Sequence, residues 1–489
     1  MKIASPARFP TLIALLISAT TLVSYAKNNP APPNFVFLIV DDVSPEDLGA
    51  YGCDHAKTPH IDALATDGLR FNNAYLVISS CSPSRCAIIT GRYPHNHGAP
   101  ELHTTLPTGQ KTFVQTLAEA GYHTVISGKN HMSPKGKAAE LGFAVESLGK
   151  GPGKQEDWVE LLASRPKDKP FFFWFASSDA HRQWQIDDKH PVYDPNEIKV
   201  PPYLYDGPKT RQDLADYFHE VSRIDAYVGK VREELQRQGV EDNTWFIFMA
   251  DNGRAFPRSK TRLYDSGIKT PFIVYAPDQV KPGTTDSLIS SIDISATILD
   301  LAGLKKPKTI QGMTFAPVLD DPSAITRNVA FAEHNWHVNS AHERMVRHGD
   351  WVYIRNSFPH LQSLAQEQDR SYPTGEELWD MEDAGKLDPA TQRDIFLVPR
   401  PVDELYHVGK DPDQLTNVAE NPEYTAQLKS LKALLDQWID ETGDSIPDDP
   451  TPDRVYIDGK KVDPQPRGTP PGAAQNATAI NHPGPVLTN

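Results

Sequence analysis

The chain is expected to fold as an α/β protein: a large central mixed, mostly parallel sheet flanked by helices, followed by a smaller C-terminal antiparallel-sheet-plus-helix subdomain. Three features predict this. Four strongly apolar runs lack polar–apolar alternation, as strands buried on both faces do. Helical segments separate these runs, giving the order β–α–β–α. Each run stops abruptly at polar residues, and ligands of open α/β sheets gather at the carboxyl ends of the strands.

Taken in order, Lys2 and Arg8, the apolar stretch 11–23 and Ser24-Tyr25-Ala26 read as a signal peptide over residues 1–26, implying an exported protein, periplasmic or secreted. That stretch is too short to span a bilayer comfortably, so no membrane partner is expected. The strand Asn34–Val40 runs into Asp41-Asp42, and residues 58–67 carry helical spacing. A helix follows at 112–120, then a strand at 123–127 that ends in Gly128-Lys129-Asn130-His131. Phe171–Ala176 leads to Asp179 and His181, residues 213–238 form a helix, and Thr244–Ala250 meets Asp251-Asn252-Gly253. A helix at 293–302 closes the main domain, set at residues 27–325. Residues 326–445 form the C-terminal subdomain, with a strand at 351–355 and an amphipathic helix at 423–441. The proline-rich tail 446–489 lacks periodicity and reads as a surface wrap or a partly disordered segment.

A formal net charge of −15 argues against nucleic-acid binding, so an anionic ligand requires a local cationic pocket. Three cysteines, Cys53, Cys81 and Cys86, do not make a disulfide scaffold, and whether Cys53 and Cys86 pair is left open.

The most informative stretch is Cys81-Ser82-Pro83-Ser84-Arg85-Cys86-Ala87-Ile88-Ile89-Thr90-Gly91-Arg92. Pro83 suits the first turn of a helix, which places Cys81 at or just before its N-terminus. Backbone N–H groups and Arg85 there favour a tetrahedral anion held against residue 81. Asp41, Asp42, Asp251 and Asn252 offer oxygen ligands only, suited to Ca²⁺ or Mg²⁺ rather than zinc. Asp-Asp and Asp-Asn-Gly are also ordinary turn sequences; their place at the ends of strands expected to be neighbours favours the ligand reading.

Cys81, Pro83, Ser84, Arg85, Thr90, Gly91 and Arg92 match the Cys-x-Pro-Ser-Arg…Thr-Gly-Arg element, and the chain here resembles the type I sulfatases. The resemblance runs from about Asn34 to Asn421 and looks closest to the sulfamidase-like branch, through Cys-Ser-Pro-Ser-Arg, Asp251-Asn252-Gly253 and Glu333-His334-Asn335-Trp336-His337. It implies an alkaline-phosphatase-like fold, a metal site of Asp41, Asp42, Cys81, Asp251 and Asn252, and conversion of Cys81 to formylglycine by a formylglycine-generating enzyme. It also implies catalytic roles for Cys81, Arg85, Lys129, His131, His181 and Lys260. Lys129 and His131 match a Gly-Lys-x-His element, and Lys260 matches the lysine of Lys-x-x-x-Tyr, with Lys269 a nearby competitor at the wrong offset. One departure stands out: where relatives often show His-x-Pro-His, this chain has Ser178-Asp179-Ala180-His181.

The implied substrate is a sulfated saccharide, either O-sulfated or, as in N-sulfoglucosamine sulfohydrolases, N-sulfated. His103, Arg182, Trp184, His334, His337 and Arg344 are the candidates to touch the sugar or its charges. Two other readings are a phosphodiester or phosphonate monoester hydrolase and a carbohydrate-binding protein that has lost catalysis.

Overall fold

In a computed structural model the described residues are 1, 31–389, 391–454, 461–463 and 465–487. The expected signal peptide, Met1 apart, lies outside them. No helix among the described residues is long and apolar enough to cross a membrane.

Eight strands form the large sheet: β1 (Asn34–Val40), β2 (Leu69–Tyr75), β3 (His123–Gly128), β4 (Val145–Ser147), β5 (Phe171–Ala176), β6 (Thr244–Ala250), β7 (Phe272–Tyr275) and β8 (Gly283–Ser290). Their order is β4-β3-β5-β1-β6-β7-β2-β8. All neighbours pair in parallel except β7, which is antiparallel to both β6 and β2. The sheet is therefore mixed and mostly parallel, as expected.

The unalternating apolar runs are explained by cores on both faces. Phe35, Phe37 and Ile39 enter one hydrophobic cluster, whereas Val36, Leu38 and Val40 enter the other. Helices cover the sheet close to where the sequence placed them: Pro59–Asp67, Phe113–Glu119, Pro208–Arg237 and Asp293–Leu301. β2, β4, β7 and β8 are not among the apolar runs that announce strands in the sequence. These strands are short or half-polar, and β4 and β8 are sheet edges, so the burial that makes a run continuously apolar is missing.

A second sheet, in the order β12-β11-β10-β9, is fully antiparallel: β9 (Val329–His334), β10 (Glu343–His348), β11 (Trp351–Asn356) and β12 (Asp403–His407). The helix Thr425–Thr442 covers it, and Trp438 stacks on Phe331 with ring centroids 5.1 Å apart. The two sheets meet beside the reactive stretch, where the Glu333 N–H donates to the Val77 carbonyl at 2.8 Å.

The described part of the tail is bound to the body. The Arg92 guanidinium donates to the carbonyls of Thr478 and Ile480, each at 3.0 Å, and Arg467 donates to the Leu102 carbonyl at 2.8 Å.

Candidate active site

Strand register builds the site. Val40 pairs with Ala250 and Ile39 with Ala176, so Asp41, Asp251 and the Ser177–His181 turn leave the sheet side by side. The Asp41 N–H donates to the Asp179 carbonyl at 3.0 Å, and the Ala180 N–H returns to the Asp41 carbonyl at 2.8 Å. One strand further, the Lys129 N–H donates to the Ala176 carbonyl at 2.9 Å. Four neighbouring strand ends thus supply Lys129 and His131, His181, Asp41 and Asp42, and Asp251 and Asn252.

Cys81 arrives from the other side as the first residue of the buried helix Cys81–Thr90. Gly91 ends that helix in the left-handed region at φ 65°, and a Cβ there would lie 2.1 Å from Ser295 Oγ. Ligand atoms of Asp41, Cys81 and Asp251 all lie within 4.8 Å of one another. Arg85 Nε donates to Asp251 Oδ2 at 2.7 Å, and its Nη1 donates to the Lys129 carbonyl at 2.9 Å. Lys260 Nζ donates to Asp42 Oδ2 at 2.8 Å, and Lys129 Nζ contacts Asp41 Oδ2. Lys269, the competitor, instead forms an isolated β-bridge with Tyr75.

Donor chemistry fits a hard cation. Asp41 Oδ1 and Asn252 Oδ1 are buried oxygens without a hydrogen-bond partner. Three carboxylates (Asp41, Asp42, Asp251) balance three cationic side chains (Arg85, Lys129, Lys260), so adding a divalent cation leaves a positive surplus for an anion to neutralise.

Burial pushes the Cys81 thiol up to about 12, despite Lys129 and Lys260 nearby, so the unmodified residue is a poor nucleophile at neutral pH. Lys260, with burial and Lys129, lowers His181 to about 3. Burial, with Lys129, lowers His131 to about 2. Both imidazoles are therefore neutral in the resting site.

A cavity of about 570 Å³ opens over these groups, lined among others by Asp41, Lys129, His131 and His181. Of the six substrate candidates, His103 lines this cavity with an exposed side chain, its ring 5.0 Å from that of His131. His337 is buried and braces the reactive turn, with Nδ1 2.7 Å from Ser80 Oγ. The other four are committed to the fold. Arg182 lines the cavity, but its guanidinium is tied to both Asp213 carboxylate oxygens at 2.8 and 2.7 Å. Trp184 donates to Asp213 at 2.7 Å and packs on Phe256, His334 faces Glu343 at 3.2 Å, and Arg344 pairs with Asp444 in the core. A buried carboxylate within reach satisfies such groups better than a transient sugar contact, and sequence gives no sign of that partner.

Lys154 was missed. It lines the cavity from the loop Gly149-Lys150-Gly151-Pro152-Gly153-Lys154, whose glycine and proline content was the available signal. All three cysteines are free, so Cys53 and Cys86 do not pair.

The sulfatase family model matches residues 33–151 and 155–304. The chain belongs to the sulfatase family. As a sulfatase it is a sulfuric ester hydrolase, and membership implies, in general, a formylglycine nucleophile and a divalent cation. The model for the N-sulphoglucosamine sulphohydrolase C-terminal region matches residues 258–355. The chain is similar to human N-sulphoglucosamine sulphohydrolase, at 29% identity over 84% of this chain and 91% of that protein. It is 28% identical to an ulvan-active sulfatase of Formosa agariphila over 85% of this chain and 76% of the relative. Among solved structures, a protein in complex with its substrate D-glucosamine-2-N,6-O-disulfate superposes with a TM-score of 0.63 at 20% identity, covering 84% of this chain and 98% of that one. At that identity the likeness speaks for the fold.

Proposed function

We propose that this sulfatase is an exported, Ca²⁺-dependent enzyme that releases sulfate from a sulfated saccharide, using a formylglycine made from Cys81 by a formylglycine-generating enzyme. The observation that carries this reading is the meeting of Asp41, Asp251 and Cys81 within one ligand-sized space, ringed by Arg85, Lys129 and Lys260. Asp41, Asp42, Asp251 and Asn252 would hold the cation with residue 81, and the cation would supply Lewis-acid polarisation of a sulfate oxygen. A hydrated formylglycine at residue 81 would supply a hydroxyl nucleophile toward sulfur and, through its second hydroxyl, a route back to the aldehyde.

The chain's own side chains do the rest. Arg85, Lys129 and Lys260 offset sulfate charge as it redistributes in the transition state. An arriving sulfate counters the positive field of Lys260 that keeps His181 neutral, which suits His181 to carry a proton to the leaving oxygen or nitrogen. Neutral His131 is suited to take a proton from the nucleophile side. His103 and Lys154, on the cavity wall, are placed to meet the sugar or a further anionic group.

N-sulfate hydrolysis on glucosamine is the second reading, favoured by the C-terminal family match at residues 258–355. Protein with formylglycine verified by mass spectrometry across residue 81, assayed on defined N- and O-sulfated saccharides and on phosphodiesters, tests these readings. Sulfate release from a saccharide supports the proposal. Dominant phosphodiesterase activity, or an unmodified thiol in protein from its native host, would sink it.

A further inference from the structure

Beyond the catalytic cavity lies a smaller one of about 190 Å³, between the Lys260 loop and the C-terminal sheet. Arg258, Arg262, Arg400, Tyr264 and Tyr406 are among its walls. Carboxylates are present too, but they are engaged. Asp394 takes Arg258 at 2.6 Å, Glu343 takes Arg400 at 2.5 Å, and Glu404 accepts from the Tyr264 and Tyr406 hydroxyls at 2.8 and 2.7 Å.

Arg262 has no such partner. It is 2% exposed, and its Nε and Nη1 are buried without any acceptor. Only Nη2 is used, toward the Ser363 carbonyl and Gln368. Glu343 offsets part of this charge but is already paired with Arg400, and two buried N–H groups of Arg262 are still left without an acceptor, which is costly.

The geometry points to a binding site for a small inorganic anion in this cavity, held by Arg262 with Arg258 and Arg400 beside it, which braces the loop carrying Lys260. Burial depresses the Arg262 guanidinium below its ordinary range, with Glu343 opposing the shift and Arg400 adding to it, and a resident anion would act in the same sense as Glu343. The bracing follows from the chain path. Arg262 lies two residues after Lys260, and Thr261 between them donates its N–H to the Ser79 carbonyl at 2.9 Å, two residues before Cys81. One side of the loop is thus fastened to the reactive turn, and the anion fastens the other.

Bromide is the probe. Crystals of the full chain soaked in sodium bromide are expected to show an anomalous peak within about 3.5 Å of Arg262 Nε or Nη1, a readout that does not depend on the reaction assigned to the enzyme. Chloride, compared with gluconate at matched ionic strength, is expected to raise the melting temperature by about 3 °C at a hundredfold excess over Kd. Arg262→Gln should abolish this response, and also an activation of sulfate release by chloride of about fivefold. No bromide in the cavity, or equal chloride responses in wild type and Arg262→Gln, overturns the site. Bromide bound there with chloride-independent turnover overturns the brace. Should Arg262→Gln fail to fold, bromide density and the chloride melting curve of the wild-type protein decide the matter.

Discussion

Arg85 and Asp251 form a 2.7 Å ion pair in which neither side chain is exposed, tying the first turn of the Cys81 helix to the end of β6. The same guanidinium reaches the Lys129 carbonyl, so one residue holds the Cys81 helix, Asp251 and the β3 loop against each other.

Arg85→Lys keeps the charge but cannot make both contacts. Sulfate release is expected to fall by about 10²- to 10³-fold in kcat. Steady-state kinetics on a common sulfate ester checks this, and a loss below tenfold would show that charge alone suffices at this position.

Removing the divalent cation with a chelator should abolish turnover, and Ca²⁺ should restore it. Asp251→Asn should raise the Ca²⁺ needed for half-maximal activity about tenfold or more, because it removes one charged ligand. A Ca²⁺ titration after exhaustive dialysis measures the shift; an unchanged midpoint would remove Asp251 from the cation site.

The two lysines that competed on sequence grounds separate cleanly. Lys260→Ala is expected to cost about 10²-fold or more in kcat/KM, while Lys269→Ala should stay within about twofold. The opposite ranking would reassign the sulfate-binding lysine.

His97 supports the Cys81 helix as a neutral imidazole: Nδ1 accepts the Ala99 N–H at 3.1 Å, and Nε2 donates to the Pro83 carbonyl at 3.2 Å. Burial lowers its pKa to about 3. The unfolded chain takes up this proton near pH 6.5 and the folded chain only near 3, so stability is full above 6.5 and declines as pH falls through that window. The decline from this group approaches about 1.4 kcal/mol per pH unit. Urea midpoints between pH 7 and 5 should fall less steeply in His97→Gln, and parallel profiles would refute the assignment.

Deleting residues 446–489 removes the carbonyls that receive Arg92, together with the Thr451 hydroxyl and Arg467 that bind Glu101 in the loop before His103. A loss of at least about 3 kcal/mol is expected, since several hydrogen bonds from a buried guanidinium go unmade. Equilibrium unfolding of the truncated protein tests this. Unchanged stability would mean that the tail merely lies on the surface.

Much of the candidate site was legible because its residues sit at the ends of strands whose burial on both faces leaves an unmistakable apolar run. Asp41, Lys129, His181 and Asp251 could each be found that way, and Cys81 and Arg85 stood out by their spacing around Pro83. The substrate candidates fared differently. Arg182, Trp184, His334 and Arg344 are polar or aromatic residues near the site in sequence, yet each is bound to a carboxylate or a core ring. Lys154 was overlooked because a lone lysine in a glycine-rich loop carries no periodicity.

The α/β class, the family and the candidate site residues could all be read from the chain, because hydrophobic period and residue type are local properties that folding cannot change. Which side chains face the cavity, that the tail clasps Arg92, and that two N–H groups of Arg262 are buried without an acceptor emerge from the folded chain alone. Those outcomes depend on pairings between residues far apart in the chain, and whether a charge is paired, exposed or stranded is settled only when its partner is in place.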